Sequence, residues 1–209
     1  MTNDQKDLLK VIKSRRSIRH YKSEPVSEEV LNKVLDAARL APSAANRQCW
    51  RLVVVRDPAT KRALRDSARA VFIDANHHID EAPVVLAACT MPKQSNWHIY
   101  DISILSTYIL LVAHYYGLGT CWIGLFNEDR VKEILGIPTE HKVAALITLG
   151  YPAEDPPPTP RLEAPEITYQ ERWGAQNKSS VISHKSLVRQ GFLTVALKII
   201  KHIWRGLFR

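Results

Sequence analysis

Three arginines crowd into Arg15-Arg16-Ser17-Ile18-Arg19-His20-Tyr21. In an extended segment successive side chains alternate, so Arg15, Ser17 and Arg19 share one face and Arg16 and Ile18 the other. Two guanidinium groups and a hydroxyl on one edge suit a phosphate or an anionic ring, because the planar fork matches oxyanion geometry and stays charged. A solvated basic face following a helix is the alternative. A second stretch, Ala41-Pro42-Ser43-Ala44-Ala45-Asn46-Arg47-Gln48-Cys49-Trp50, joins small residues to amides. Its small side chains allow a flat ligand close to the backbone, and Asn46 and Gln48 offer both donors and acceptors; an ordinary turn would also use such residues. The third stretch is Gly117-Leu118-Gly119-Thr120-Cys121-Trp122-Ile123-Gly124, with Leu149-Gly150-Tyr151-Pro152 downstream. Alone these read as a helix C-cap and a strand end.

The elements that must carry these stretches follow from periodicity and capping. Leu8, Leu9, Val11 and Ile12 fall on one face of a short helix over 4–14. Ser27 is an N-cap for a helix with Glu28 and Glu29 in its first turn and Val30, Leu31, Val34, Leu35 and Ala38 as its apolar stripe, ending at Pro42. Leu52–Val55 reads as a buried strand, and Asp57-Pro58 caps a helix to about Ala68. Pro83–Thr90 is a second strand. A long helix from about Ile99 to Tyr116 stops at Gly117; its serines, threonine and tyrosines suit a buried helix better than a lipid-facing one. Asn127 caps a helix through Leu135, closed by Gly136 and Pro138, and Val143–Leu149 is a third strand. Alternating strands and helices indicate a layered α/β or α+β fold. The prolines of Asp155–Pro160 form an extended, stiff boundary.

The 209 residues suffice for one well-buried core with an appendage. The net charge of +8 is confined to the end of the chain. Basic and acidic residues balance at 21 each through Glu171, and 172–209 holds 8 basic and no acidic residues. The body is therefore not expected to bind nucleic acid. Cys49, Cys89 and Cys121 are an odd number at wide spacing, and the opening residues show no charged stretch leading into an apolar one. The expectation is a cytoplasmic protein whose cysteines are small buried residues.

Taken together the motifs resemble those of the nitroreductase family of flavoproteins. Its members carry Arg-Arg-Ser-X-Arg near the N-terminus, a Pro-Ser-X-X-Asn-X-Gln loop, a Gly-Leu-Gly-X-X-Trp-Ile-Gly segment and a Leu-Gly-Tyr-Pro strand end. All four occur here in the family's order, within a likeness running from about Leu8 to Trp173. The resemblance implies an α+β, nitroreductase-like fold with a central, mostly antiparallel sheet flanked by helices, in an intertwined homodimer with two FMN sites at the interface. It implies NADH or NADPH as co-substrate, no metal, and no nucleophilic side chain, since the flavin N5 carries the hydride. By the same resemblance Arg15 and Ser17, with Arg16 beside them, hold the FMN phosphate and ribityl chain, and Arg19 faces the pyrimidine edge of the ring. Ser43, Ala44 and Asn46 come from the other subunit, the backbone of Trp122, Ile123 and Gly124 approaches the central ring near N5, and Arg161 is a second phosphate ligand. Two departures stand out. Cys49 replaces the proline usual before Trp50, and the lysine and asparagine of larger members have no counterpart near Asp74–His78.

The acceptors implied are nitroaromatics and quinones, used in a ping-pong cycle. Reductive dehalogenation or dehydrogenation on the same scaffold is the enzymatic alternative, although Met91–Trp97 is short for a substrate lid. The domain division expected is an FMN-binding domain over 1–174 and a basic amphipathic tail over 175–209. On a helical wheel Lys198, Lys201, His202, Arg205 and Arg209 share one sector, while Phe192, Val195, Ala196, Ile199, Ile203 and Leu207 share another. Such a helix in 184–209 suits an anionic membrane surface, which would place the protein at the inner face as a flavin sensor or docking module; packing on its own globule is the alternative.

Overall fold

The computed structural model describes residues 8–68 and 76–175. The chain divides into two compact units, 1–157 and 158–209.

The first unit is built on four strands: β1 (Trp50–Val55), β2 (Val84–Thr90), β3 (Gly119–Ile123) and β4 (Lys142–Gly150). Their order is β1-β2-β4-β3, with every neighbouring pair antiparallel. All seven residues of β2 are buried, so its alternating side chains serve two cores. Val84, Leu86 and Ala88 pack with residues of α2 (Glu28–Ala38) and α5 (His98–Tyr115). Val85, Ala87 and Cys89 face the opposite layer with Leu64 of α3 (Pro58–Ser67) and Val131 of α6 (Glu128–Leu135). The unit is thus a three-layer α+β sandwich with a wholly antiparallel sheet.

Local chemistry sets the ends of these helices. Ser27 Oγ accepts from the Val30 N–H, Asp57 from Thr60 and Asn127 from Arg130, each satisfying a donor with no intrahelical partner. Gly136 ends α6 in the left-handed region at φ 63°, where a side chain would be strained. Three features differ from the sequence expectation. Gly119–Ile123 is a full strand although its flanking glycines read as a cap, because pairing with β4 outweighs local propensity. A short helix, α4 (His78–Glu81), precedes β2. In α1 (Leu8–Ser14) only Val11 is buried, so the expected apolar stripe leaves Leu8, Leu9 and Ile12 open to solvent.

The 18-residue α5 is apolar nearly all round yet buries only one side, through Ile102, Leu105, Ile109 and Ala113. On the other, Tyr100, Ile104 and Tyr108 recur every four residues and stay exposed, Tyr100 at 64%. No helix among the described residues is long and apolar enough to cross a membrane. In the second unit a capping box between Glu163 and Glu166 opens α7 (Ala164–Ile167). Residues 1–7 and 69–75 and the basic tail at 176–209 lie outside the described residues, so the amphipathic helix expected at 184–209 does too.

Candidate functional site

The arginine segment is extended and lies along β3. Ser17 bridges Thr120 in parallel, and the Ile18 N–H donates to the Thr120 carbonyl at 2.9 Å. Lys22 N–H donates to Tyr151 O, and Ala153 N–H returns a bond to His20 O, each at 2.9 Å. The Glu154 carboxylate accepts from the backbone N–H groups of both Arg19 and His20. Tyr21 fixes the far end from within the core: its hydroxyl donates to Ile18 O and meets Thr148 Oγ1, both at 2.7 Å, and burial raises its pKa. The approach is close because Gly119 has no side chain; a Cβ there would stand 2.6–2.9 Å from Ile18 carbons. Two motifs a hundred residues apart in sequence therefore share one sheet edge.

Alternation along this segment divides its side chains. Arg16 and Ile18 line a cavity of about 470 Å³ together with Lys10, Ser14, His114 and Glu154, whereas Arg15, Ser17 and Arg19 are not among its lining residues. The Arg16 guanidinium donates to Lys13 O at 2.7 Å and Arg15 O at 2.8 Å, capping the carbonyl end of α1. Arg15 and Ser17 are half-buried and Arg19 is exposed. In β3, Ile123 is buried while Trp122 is 46% exposed, its ring folded over Gly124, where an added Cβ would lie 2.7 Å from the indole.

The small-residue loop lies elsewhere. Its backbone enters the left-handed region at Ala45 (φ 51°), Asn46 (φ 53°) and Gln48 (φ 49°), a concentration of strain that non-glycine residues adopt only when held. Gln48 does part of the holding: its N–H donates to Ser43 Oγ at 3.1 Å and its amide to Asn46 O and Oδ1. Asp101 does the rest. As the lone Asp, Glu, Lys or Arg of α5 it is buried, accepting from the Ala44 N–H at 3.0 Å and from the Cys49 thiol at 3.5 Å. Burial, then the neighbouring Asp101 carboxylate, pushes the Cys49 thiol above its usual pKa, so it remains a thiol. All three cysteines are buried and free.

The sheet register shows how far apart the two regions stand. Thr120 is level with Leu149 on β4 and thus with Val84 on β2, while the loop leads into Trp50, opposite Thr90. Six residues along and three strands across amount to about 25 Å between Thr120 and Trp50, and the arginine segment lies beyond Thr120. The arginine segment and the Ser43–Asn46 loop occupy diagonally opposite corners of one sheet. Arg161 belongs to the second unit, where it is exposed.

Sequence reading missed Asp101, Glu154 and the strapping role of Gln48. Asp101 carried a usable signal, a carboxylate in an otherwise uncharged apolar helix, whereas nothing local distinguishes Glu154. Near the arginines, His78 of α4 is only 1% exposed, and neither ring nitrogen has a hydrogen-bond partner among the described residues. Burial, reinforced by Arg19, lowers its pKa to about 4 and keeps the imidazole neutral.

The sequence model of the Nitroreductase family matches residues 12–77 and 74–151. A Thermus thermophilus protein named NADH dehydrogenase is 40% identical, over 71% of this chain and 88% of its own length. A Bacillus subtilis FMN reductase [NAD(P)H] is 27% identical over 85% and 78%, respectively. Among solved structures, an FMN-dependent nitroreductase from Clostridium difficile superimposes with a TM-score of 0.72 at 29% identity, covering 79% of this chain and 99% of its own. The family-model match, the sequence identity and the structural superposition converge, and the chain belongs to the nitroreductase family.

Proposed function

We propose that the protein is an FMN-dependent oxidoreductase that takes hydride from NADH or NADPH and reduces a small nitroaromatic or quinone, with each flavin site completed by two subunits. The observation that carries this reading is the diagonal placement of the two motif regions. Each chain offers two half-sites at least about 25 Å apart, and a second copy would bring its Ser43–Asn46 loop to the first chain's arginine segment. The surface for that copy is available: the Tyr100, Ile104 and Tyr108 face of α5 and the open Leu8, Leu9 and Ile12 of α1 are apolar surfaces of the kind two-fold dimers cover.

The residues present fit the cofactor. Arg15 and Ser17 would hold its phosphate and ribityl chain, with Arg161 as a further phosphate ligand. Arg19 would face the pyrimidine edge, where a cation opposes the negative charge of the reduced ring. Ser43, Ala44 and Asn46 are presented by a strained loop that Gln48 and Asp101 hold in place, and the backbone of Trp122, Ile123 and Gly124 would approach the ring. Arg16, whose guanidinium is committed to Lys13 O and Arg15 O, supports the segment from behind. When bound, FMN supplies the hydride chemistry at N5, so the chain needs no nucleophile and contributes position, charge and exclusion of water. The domain proposed to do this spans 1–174, apart from a tail at 175–209.

Subunit complementation tests the reading. An Arg15→Ala/Ser17→Ala chain and an Asn46→Ala chain are each expected to bind FMN poorly and to turn over NADH or NADPH with menadione slowly. Co-expressed, they would form mixed dimers with one intact site and regain up to half of the wild-type activity per mixed dimer. Absence of bound flavin in the wild type, or no recovery in a verified heterodimer, would overturn it.

A further inference from the structure

Beside the arginine segment, on the side of α4, three metal-ligating groups converge. His20 Nδ1 stands 3.5 Å from Glu81 Oε2, and His77 Nε2 stands 3.8 Å from Glu81 Oε1. The ligand atoms of all three residues lie within 4.8 Å of one another. Two backbone devices arrange this. His77 and Glu81 are four residues apart at the start and end of α4, which stacks them on one helical face. His20 is held from the other segment, its N–H donating to Glu154 at 3.1 Å and its carbonyl accepting from Ala153 at 2.9 Å. The imidazole rings of His20 and His77 sit with centroids 5.2 Å apart.

We propose that His20, His77 and Glu81 form a binding site for a divalent transition-metal ion of the zinc type, tying the arginine segment to α4. Two imidazoles and one carboxylate are a borderline donor set that selects such ions over calcium or magnesium. Ligand atoms around a tetrahedral ion with bonds of about 2.1 Å lie about 3.4 Å apart. The two measured pairs, one to each oxygen of the Glu81 carboxylate, are near that value, and rotation of the exposed His20 and Glu81 side chains brings the set, already within 4.8 Å, onto one ion. The neighbouring carboxylate, Asp80, is occupied by Arg65 at 2.9 Å and does not compete. Three protein ligands leave one position for water, so the site resembles an open one in composition. Its position, linking His20, the residue after Arg19, to His77 and Glu81 of the α4 turn, gives it a structural role that does not depend on which substrate the enzyme reduces.

The test is calorimetric titration of untagged, full-length protein, stripped with EDTA and dialysed, with zinc chloride. One ion per chain is expected in the wild type. His77→Ala and Glu81→Gln should each weaken binding at least about ten-fold, the size of effect that disturbing a metal's ligand environment produces. His141→Ala, a histidine on the far side of β4's start, should leave the affinity unchanged. The His20→Ala variant alters an exposed side chain, and circular dichroism checks that its fold is retained; it too should lose affinity. Cobalt substituted into the protein should give an X-ray absorption shell containing two imidazoles. No saturable zinc binding by the wild type, or equal affinity in the folded His20→Ala, His77→Ala and Glu81→Gln variants, overturns the proposal. Flavin content is recorded in parallel, so a colourless protein that binds zinc would separate this site from the flavin reading.

Discussion

Gly119→Ala is the most direct test of how two distant motifs are held at one edge. The backbone of Gly119 needs no left-handed freedom, so alanine would by itself stabilise the strand by about 0.5–1 kcal/mol through the unfolded state. Any loss must therefore come from contact. The added methyl would lie 2.6 Å from Ile18 Cγ1, 2.8 Å from its Cβ and 2.9 Å from its Cγ2. Rotation about χ1 moves the γ carbons but leaves Cβ in place, so the backbone at Ile18 must retreat from β3. That strains the 2.9 Å bond from Ile18 N–H to Thr120 O and shifts Ser17 and its neighbouring arginines. Overpacking of this kind costs about 1–3 kcal/mol. Ile18→Ala removes the two γ-carbon contacts but keeps the 2.8 Å contact at Cβ, so it relieves part of the overlap, and on its own it costs about 2–4 kcal/mol by cavity formation. The two substitutions should couple by about 1 kcal/mol or more, the double variant being more stable than the sum of the singles. Urea unfolding of all four proteins measures this, and flavin fluorescence quenching measures FMN affinity alongside. A neutral Gly119→Ala with unchanged FMN affinity, or strict additivity in the cycle, would refute the account of how the edge is assembled.

Arg19→Ala should lower the flavin midpoint potential while FMN stays bound, because the reduced ring loses its opposing cation; spectroelectrochemical titration decides, and an unchanged potential removes that role. The pair Tyr100→Glu/Ile104→Glu, placing charge on the exposed apolar face of α5, should yield a monomer with depleted flavin in sedimentation velocity, and a stable dimer would move the interface elsewhere. The depressed pKa of His78 predicts acid sensitivity. The unfolded chain binds a proton below about pH 6.5 that the folded chain accepts only near pH 4, so stability falls as pH drops through that window, by on the order of 3 kcal/mol in all. Chemical unfolding in EDTA at pH 7 and pH 4.5 should show this loss in the wild type and a smaller one in His78→Phe.

The elements whose chemistry is local were legible in the sequence. Ser27, Asp57 and Asn127 announce their helices because a side-chain oxygen three residues before a free N–H is a short-range arrangement. The strands at β1, β2 and β4 announce themselves by runs of β-branched and apolar residues, and β2 and most of β4 are buried as such runs predict, whereas β1, expected to be buried, is an edge strand with Arg51 and Val54 exposed. β3 did not, because its five residues begin at one glycine, end before another, and become a strand only when β4 supplies partners. The motif residues were legible as a set, since their order along the chain matches the family's.

What each motif residue touches was decided by the tertiary structure. Alternation separates Arg16 from Arg15, Ser17 and Arg19 in any extended segment, but the destination of the Arg16 guanidinium depended on where α1 ends. Asp101, Glu154 and the cluster of His20, His77 and Glu81 could not be paired from sequence, because their partners lie between 4 and 135 residues away and meet only through the sheet and the turns at its edge. The separation between the arginine segment and the Ser43–Asn46 loop is likewise a product of topology: β1 and β3 stand at opposite edges of a β1-β2-β4-β3 sheet, and a six-residue offset in register puts the two regions at opposite ends of the strands. Residue types thus fix the chemistry available and the local conformations, while strand order, a property of the whole folded chain, fixes which of those groups can act on the same molecule.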